Sequence, residues 1–193
     1  PFGNWMAEWL HRGIMALCGF SPVLMGVLIG GLWQVLVSVG IHGIITVLAF
    51  ADVLAGNSSP LLALSYSASF AVSGVAFAVF MRSRNSGEKQ TAKAGAVSAI
   101  MGATEPAMYA LIKPDKKRFA LCCAGGALGG ATAGFFGISM HAYAGMGITG
   151  LFGFFQTGDV KLVGVLLMAV LPFGFTWLIE MLLYRQEKAV ESE

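Results

Sequence analysis

Charge is the scarcest property of this chain. Only 11% of its 193 residues are Asp, Glu, Lys or Arg, against about 25% in an ordinary soluble domain. The charge that exists is patchy. Residues 13–51, 53–81, 119–158 and 162–179 contain none of these four types. Each run approaches or exceeds the roughly 20 apolar residues that cross a bilayer. A soluble core does not supply four such runs. The net charge is only +2, and no basic stripe is interleaved with aromatics, which argues against a nucleic-acid partner.

Other shortages exclude whole classes of chemistry. The three cysteines, Cys18, Cys122 and Cys123, lie in apolar runs without metal-type or Cys-x-x-Cys spacing. They read as small buried hydrophobes. No glycine-rich phosphate loop opens a helix, and no Ser–His–Asp set or metal cluster is visible. No catalytic residue, metal ligand or cofactor is therefore expected, and an ATP-driven pump is not supported. No initiator Met, basic n-region or cleavage site marks a signal peptide. The chain opens at Pro1 in sequence of mid-protein character, so a fragment of a longer protein is expected.

What is present is hydrophobic. The apolar share is 56% and the mean hydropathy +0.75. The expectation is an all-α polytopic membrane protein with transmembrane helices and re-entrant helical hairpins. Residues 1–20, with Trp5, Trp9, Leu10, Glu8, His11 and Arg12, predict an interfacial amphipathic helix and connector. Spans are expected at 21–41, 61–81, 119–138 and 162–184. Ser21-Pro22 is a good helix start, because Ser caps and Pro fits the first turn. Residues 43–51 read as the return arm of a hairpin near 40–57 or as the start of an irregular loop. Asp52 and Asn57 are assigned to a solvated loop. Gly126–Gly130 and Gly130–Gly134 have the spacing that lets helices approach closely. Residues 139–160 read as an outer or partly inserted loop, and 186–193 as a polar cytoplasmic tail.

Residues 94–112 are apolar but flanked by Lys89 and Lys93 on one side and Lys113, Lys116, Lys117 and Arg118 on the other. Positive charge marks the cytoplasmic face, so this segment is expected to enter and return; a single span with one basic cluster outside is the alternative. Two arms of about 8 residues reach only about 12 Å, less than half of the hydrocarbon core. The turn falls in Gly102-Ala103-Thr104-Glu105-Pro106. Glu105 is the one charge between Lys93 and Lys113. Pro106 is expected to push Glu105 out of helical geometry.

An acid in such a setting is costly unless paired. Three roles are open for Glu105: binding a hydroxyl-rich ligand, relaying a proton, or pairing with Lys113. His42, between Gly40-Ile41 and Gly43, is a second candidate, able to donate to a hydroxyl. His141 is a weaker one. Gln34 is expected to bond across helices. Trp33 is a stacking candidate, although a core or lipid-facing role is also open to it.

GATEPAMY at 102–109, KPDKKRF at 113–119, GGALGG at 125–130 and LWQVLVSVGIHG at 32–43 resemble the signatures of a known family. It is the membrane IIC domains of the bacterial phosphotransferase-system sugar permeases, glucose superfamily, β-glucoside/sucrose/trehalose branch. Ala103 stands where that family usually carries Ile. The resemblance implies that residues 21–185 form the C-terminal, substrate-binding half of such a domain. It implies a sugar site at Glu105 and His42, flanked by Thr104 and Gly102, and import of a β-glucoside or similar glucoside or disaccharide. It further implies IIB, IIA and general phosphocarrier partners, a homodimer formed through the family's N-terminal half, and a bacterial inner-membrane location. The chain would be the transporter part of a phosphotransferase complex, with no phosphorylation site of its own. A proton-coupled sugar transporter using Glu105 is the alternative, and a ligand-free assembly subunit a third reading.

Overall fold

The computed structural model describes residues 12–13, 16, 19–155 and 161–184. Most of the helix expected over 1–20, with Cys18, Asp159 and the tail 186–193, lies outside the described residues.

Local chemistry sets the helix ends. Ser21 accepts the Leu24 N–H and caps α1 (Pro22–Val39), and Gly40, at φ 85°, ends it. After two residues α2 (His42–Leu54) begins. It continues through Asp52 instead of yielding to a loop at Ala51. Ser59 and Pro60 repeat the Ser-Pro start for α3 (Pro60–Arg82). Asn85 caps α4 (Ser86–Ile100). A turn leads to the short α5 (Glu105–Ala107), extended by a π-helical stretch, Met108–Ile112. Asp115 caps α6 (Lys116–Phe136). The short α7 (Gly147–Gly150) passes into a 3-10 turn at Leu151–Phe154, and α8 (Leu162–Leu183) follows.

Four of these helices, α1, α3, α6 and α8, are long and apolar enough to span a bilayer. The outer helices α1 and α8 expose large apolar side chains, among them Leu24, Leu28, Leu32, Leu166, Val170 and Leu182. Such surfaces are stable against lipid, not water. The chain is an all-α polytopic membrane protein. α3 sits at the centre, buried continuously from Leu61 to Ala76 and packed by α1, α4, α6 and α8.

Close approach depends on glycine. On α6, Gly126, Gly130 and Gly134 face the carbonyls of Gly30, Gly26 and Pro22 on α1. A Cβ at any of these glycines would collide with the facing backbone. The glycine spacing legible in sequence is the α6 half of this seam; Gly26 and Gly30 belong to its other half. Gly125 and Gly129 turn toward α3 and α8, against Ala71, Ser67, Thr176 and Pro172. The registers make α6 antiparallel to α1, α3 and α8. Because α1 and α3 run the same way, α2 and the loop after it carry the chain back to the starting end.

The segment after α4 also reverses. Gly102 takes φ 104°, and the Ser98 hydroxyl donates to the Ala103 carbonyl at 2.7 Å. Ala107 returns against Gly95. The outgoing arm begins at Ser86, earlier than the expected 94, and runs for 15 residues, or about 22 Å. Its charged first turns are tolerated because they lie at the polar end of the bundle. Lys89 sits over the Phe80 ring, and Glu88 meets Arg118.

Arg118 is the tie at that end. Its guanidinium donates to Glu180 at 2.9 Å and to Glu88 at 3.3 Å, and lies 3.6 Å from Asp115. Glu88 in turn accepts from Ser83 at 2.7 Å and Tyr184 at 2.9 Å. One cation thus joins the ends of α3, α4, α6 and α8. Burial pushes the Glu88 carboxyl upward, but the Ser83 and Tyr184 hydroxyls and the Arg118 charge outweigh it. They hold the carboxyl below its ordinary 4.5.

Two outcomes follow from this packing. Gly130→Val is expected to destabilise the protein in detergent by about 1–3 kcal/mol or more through overpacking, read as a lower midpoint of thermal unfolding. For Glu88 the folded pKa is depressed, so its contribution is complete above the unfolded value and lost as pH falls through the folded one. Acidification from about pH 5 to about pH 3 should therefore lower the midpoint more in the wild type than in Glu88→Gln.

Candidate functional site

A cavity of about 320 Å³ opens beside the first half of α3, at the lower end of the range for small-molecule sites, about 300–1,000 Å³. Five parts of the chain line it. α1 contributes Trp33 and Val37, and α2 contributes His42, Gly43, Thr46 and Val47. α3 contributes Ser65, Tyr66 and Ser69. The hairpin tip contributes Gly102, Thr104 and Glu105, with Tyr143 and Met146 from the loop after α6.

Glu105 and His42 meet across the mouth. The two lie in different turn regions, 63 positions apart in sequence by their numbering, yet His42 Nε2 and Glu105 Oε1 are 3.7 Å apart. That separation is too long for a hydrogen bond. His42 Nδ1 is buried without a hydrogen-bond partner. Both residues therefore keep bonding capacity for a third molecule. Trp33 stands edge-on to the imidazole, with ring centroids 6.3 Å apart.

The backbone around Glu105 differs from the sequence expectation. Glu105 is already the first residue of α5. The break lies upstream, at Met101–Thr104, because Gly102 takes the left-handed conformation and Pro106 fits the first helical turn. Pairing with Lys113 does not occur either. Lys113 Nζ donates to the Ser38 carbonyl at 3.3 Å and lies over the Tyr109 ring. It compensates the C-terminal end of α1 instead, where a cation is favourable.

The rest of the lining mixes hydroxyls with apolar side chains. The Ser65 and Ser69 hydroxyls donate to their own helix, to the Leu62 and Tyr66 carbonyls, at 3.0 Å each. Thr46 does the same to His42. Their oxygens can still accept. Among the described residues no lysine or arginine lines the cavity, so it suits a neutral molecule that both donates and accepts hydrogen bonds. The tip is braced from behind. Tyr66 donates to the Gly147 carbonyl at 2.6 Å, and Gly102 abuts the Met146 backbone.

All four residues singled out from sequence, Glu105, His42, Thr104 and Gly102, line this cavity. Trp33, the stacking candidate, also lines it while being largely buried. His141 does not line it. Gln34 donates to the Ala68 carbonyl on α3 at 3.0 Å, the interhelical bond expected of it. Sequence reasoning missed Thr46, Ser65, Tyr66, Ser69, Tyr143 and Met146. The serines carry a weak signal, recurring through an apolar run at Ser65, Ser67, Ser69 and Ser73.

The family model "Phosphotransferase system, EIIC" matches residues 1–126. A beta-glucoside-specific EIIBCA component of Halalkalibacterium halodurans is 32% identical over 82% of this chain and 25% of its own length. The arbutin-, cellobiose-, and salicin-specific EIIBC component of Escherichia coli is 27% identical over 100% of this chain and 40% of its own. A sucrose-specific EIIBC component of Bacillus subtilis is 26% identical over 100% of this chain and 38% of its own. The chain thus spans about a quarter to two fifths of the length of these relatives. No solved structure matches it.

The tip geometry can be checked directly. Gly102→Ala is expected to cost about 1–3 kcal/mol in thermal unfolding, because the backbone conformation disfavours a side chain and the Cβ meets Met146. Gly43→Ala, with open space around the added carbon, should leave the unfolding midpoint nearly unchanged.

Proposed function

The chain belongs to the phosphotransferase-system EIIC family, and from that membership we propose that it is the sugar-binding and translocating part of a phosphoenolpyruvate-dependent permease. The observation that carries the proposal is the facing pair His42 and Glu105, lining a cavity that has no lysine or arginine among its described lining residues. A sugar hydroxyl can donate to the Glu105 carboxylate and accept from a His42 N–H in the same place. Bonds to a charged group are the stronger kind. Thr104 supplies a further hydroxyl and Gly102 lets the backbone turn tightly beside it. These four are the proposed substrate-binding residues.

The substrate class we favour is a β-glucoside or a similar glucoside or disaccharide, in keeping with what the relatives' names state of them. The IIB, IIA and general phosphocarrier components are the proposed partners, again because the relatives are fused EIIBC and EIIBCA proteins. Energy then comes from phosphorylation of the arriving sugar, not from a proton carried by Glu105. The reversing segments 40–57 and 94–112 act as re-entrant hairpins, with the bacterial inner membrane as location and a homodimer as assembly.

Glu105→Gln is expected to lower sugar affinity at least about tenfold, the lower bound for losing a hydrogen bond to a charged group, with ligand-free thermal unfolding unchanged. Unaltered affinity would remove Glu105 from the site. Uptake should also vanish in cells lacking the general phosphocarriers; uptake that persists and follows the proton gradient would overturn the phosphotransfer reading.

A further inference from the structure

The hairpin tip and the loop after α6 meet main chain to main chain, and one side chain decides where they meet. We propose that Tyr66 is a positioning residue for ligand binding. Fixed within α3, it sets the place of Gly147, and through Gly147 it sets the turn that presents the Glu105 carboxylate to His42. The inference rests on the sugar-binding reading above and adds to it a residue that acts through Glu105.

Tyr66 is itself held firmly. It is fully buried, in the helix that the rest of the bundle packs around. Phe70 and Phe154 pack against its ring, each with centroids 5.2 Å away. Gly150 leaves room for it, since a Cβ there would come within 2.8 Å of the ring edge. The hydroxyl donates to the Gly147 carbonyl at 2.6 Å, joining residues 81 positions apart. A buried phenol needs such a partner. Without the bond, the carbonyl loses its donor in a buried place, which is costly.

Gly147 passes the constraint on. It takes φ 66°, and a Cβ on it would collide with the Ile100 carbonyl and the Gly102 nitrogen. Gly102 returns the contact, because a Cβ there would strike the Met146 carbonyl. Two glycines thus bring the two main chains together with no side chain between them. Such a contact has no slack, so a shift of Gly147 is also a shift of Gly102.

The turn then carries the position to Glu105. Its own bonds make it stiff: the Gly102 N–H donates to Ala99 at 2.9 Å, and the Ala103 N–H to Ser98 at 3.0 Å. The Ser98 hydroxyl closes it at Ala103, and the Met108 N–H donates to the Thr104 carbonyl at 2.8 Å. The Glu105 side chain is half exposed, so the backbone beneath it, more than packing around it, sets where the carboxylate stands. A binding group works only within a fraction of an ångström of its productive place. The buried hydroxyl of Tyr66 supplies that precision from outside the hairpin.

The test is a double-mutant cycle, read by equilibrium binding of methyl β-glucoside, cellobiose and sucrose to the purified full chain. Tyr66→Phe keeps the ring and its packing. It should weaken the best-bound of these sugars roughly three- to tenfold, the range for one lost hydrogen bond. In a Glu105→Gln background the same change should have no further effect, because the group it positions is gone. Without ligand, amide hydrogen exchange at residues 102–105 should quicken in Tyr66→Phe. Gly147→Ala, which displaces the tip from the other side of the same contact, should show the same dependence on Glu105. Thr176→Val removes a different buried hydroxyl bond to α3. It should lower the unfolding midpoint and leave sugar affinity and exchange at the tip unchanged. Unaltered affinity in Tyr66→Phe, or an equal loss with and without Glu105, would overturn the positioning role and leave the sugar-binding reading standing. If the wild type binds none of the three sugars, that reading falls and takes the positioning role with it.

Discussion

The bundle closes because α6 has glycine on two of its sides. In a membrane, lipid removes most of the hydrophobic drive between helices, so association depends on close packing and buried polar bonds. Gly126, Gly130 and Gly134 bring α6 backbone to backbone with α1, and Gly125 and Gly129 let α3 and α8 close against its adjoining side. The same approach permits bonds that wider spacing would forbid. Thr176 reaches the Ala71 carbonyl at 2.9 Å, and Ser67 reaches that of Gly126 at 3.4 Å. α3 becomes a buried post, and the cavity is built against that post. The position of every lining group depends on these contacts.

Charge is used in two opposite ways. At the base of the bundle it is consumed. Arg118 meets three carboxylates, and Glu88 is further satisfied by two hydroxyls. At the hairpin tip it is left available. Glu105 faces His42 at a distance that forms no hydrogen bond. A satisfied network makes a rigid anchor, whereas the unsatisfied pair keeps bonding capacity for a third molecule. The tip is about 18 Å along α4 from Glu88, so it is held in place by the base without being neutralised by it. The proposed sugar would complete the bonding that the protein itself leaves open.

Much of this was legible along the chain. Ser21-Pro22 predicts the start of α1, and the structure has that cap. The charge-free runs predict the four long apolar helices. GATEPAMY and its companion segments indicate the family and four of the cavity residues. Other features could not be read from sequence. Arg118 counts as one more cation in a basic cluster, although its side chain turns inward to Glu180, sixty-two positions away. Pro106 suggests a break at Glu105, but the flexible residue is Gly102, and the chain bends where bending is cheapest. Tyr143 sits in a loop with no periodicity, so nothing local marks it as part of the cavity.

Sequence by itself determined the solvent, the helices and the kind of chemistry. Those follow from local properties: the length of apolar runs, the residues that cap or break helices, and the scarcity of ionisable groups. The tertiary structure decided which scarce polar groups are spent and which are kept. Whether a charge is neutralised depends on what lies within a few ångströms of it, and helix packing alone sets those distances. That is why Lys113 was a plausible partner for Glu105 in the sequence, and why His42, reached only through folding, faces it instead.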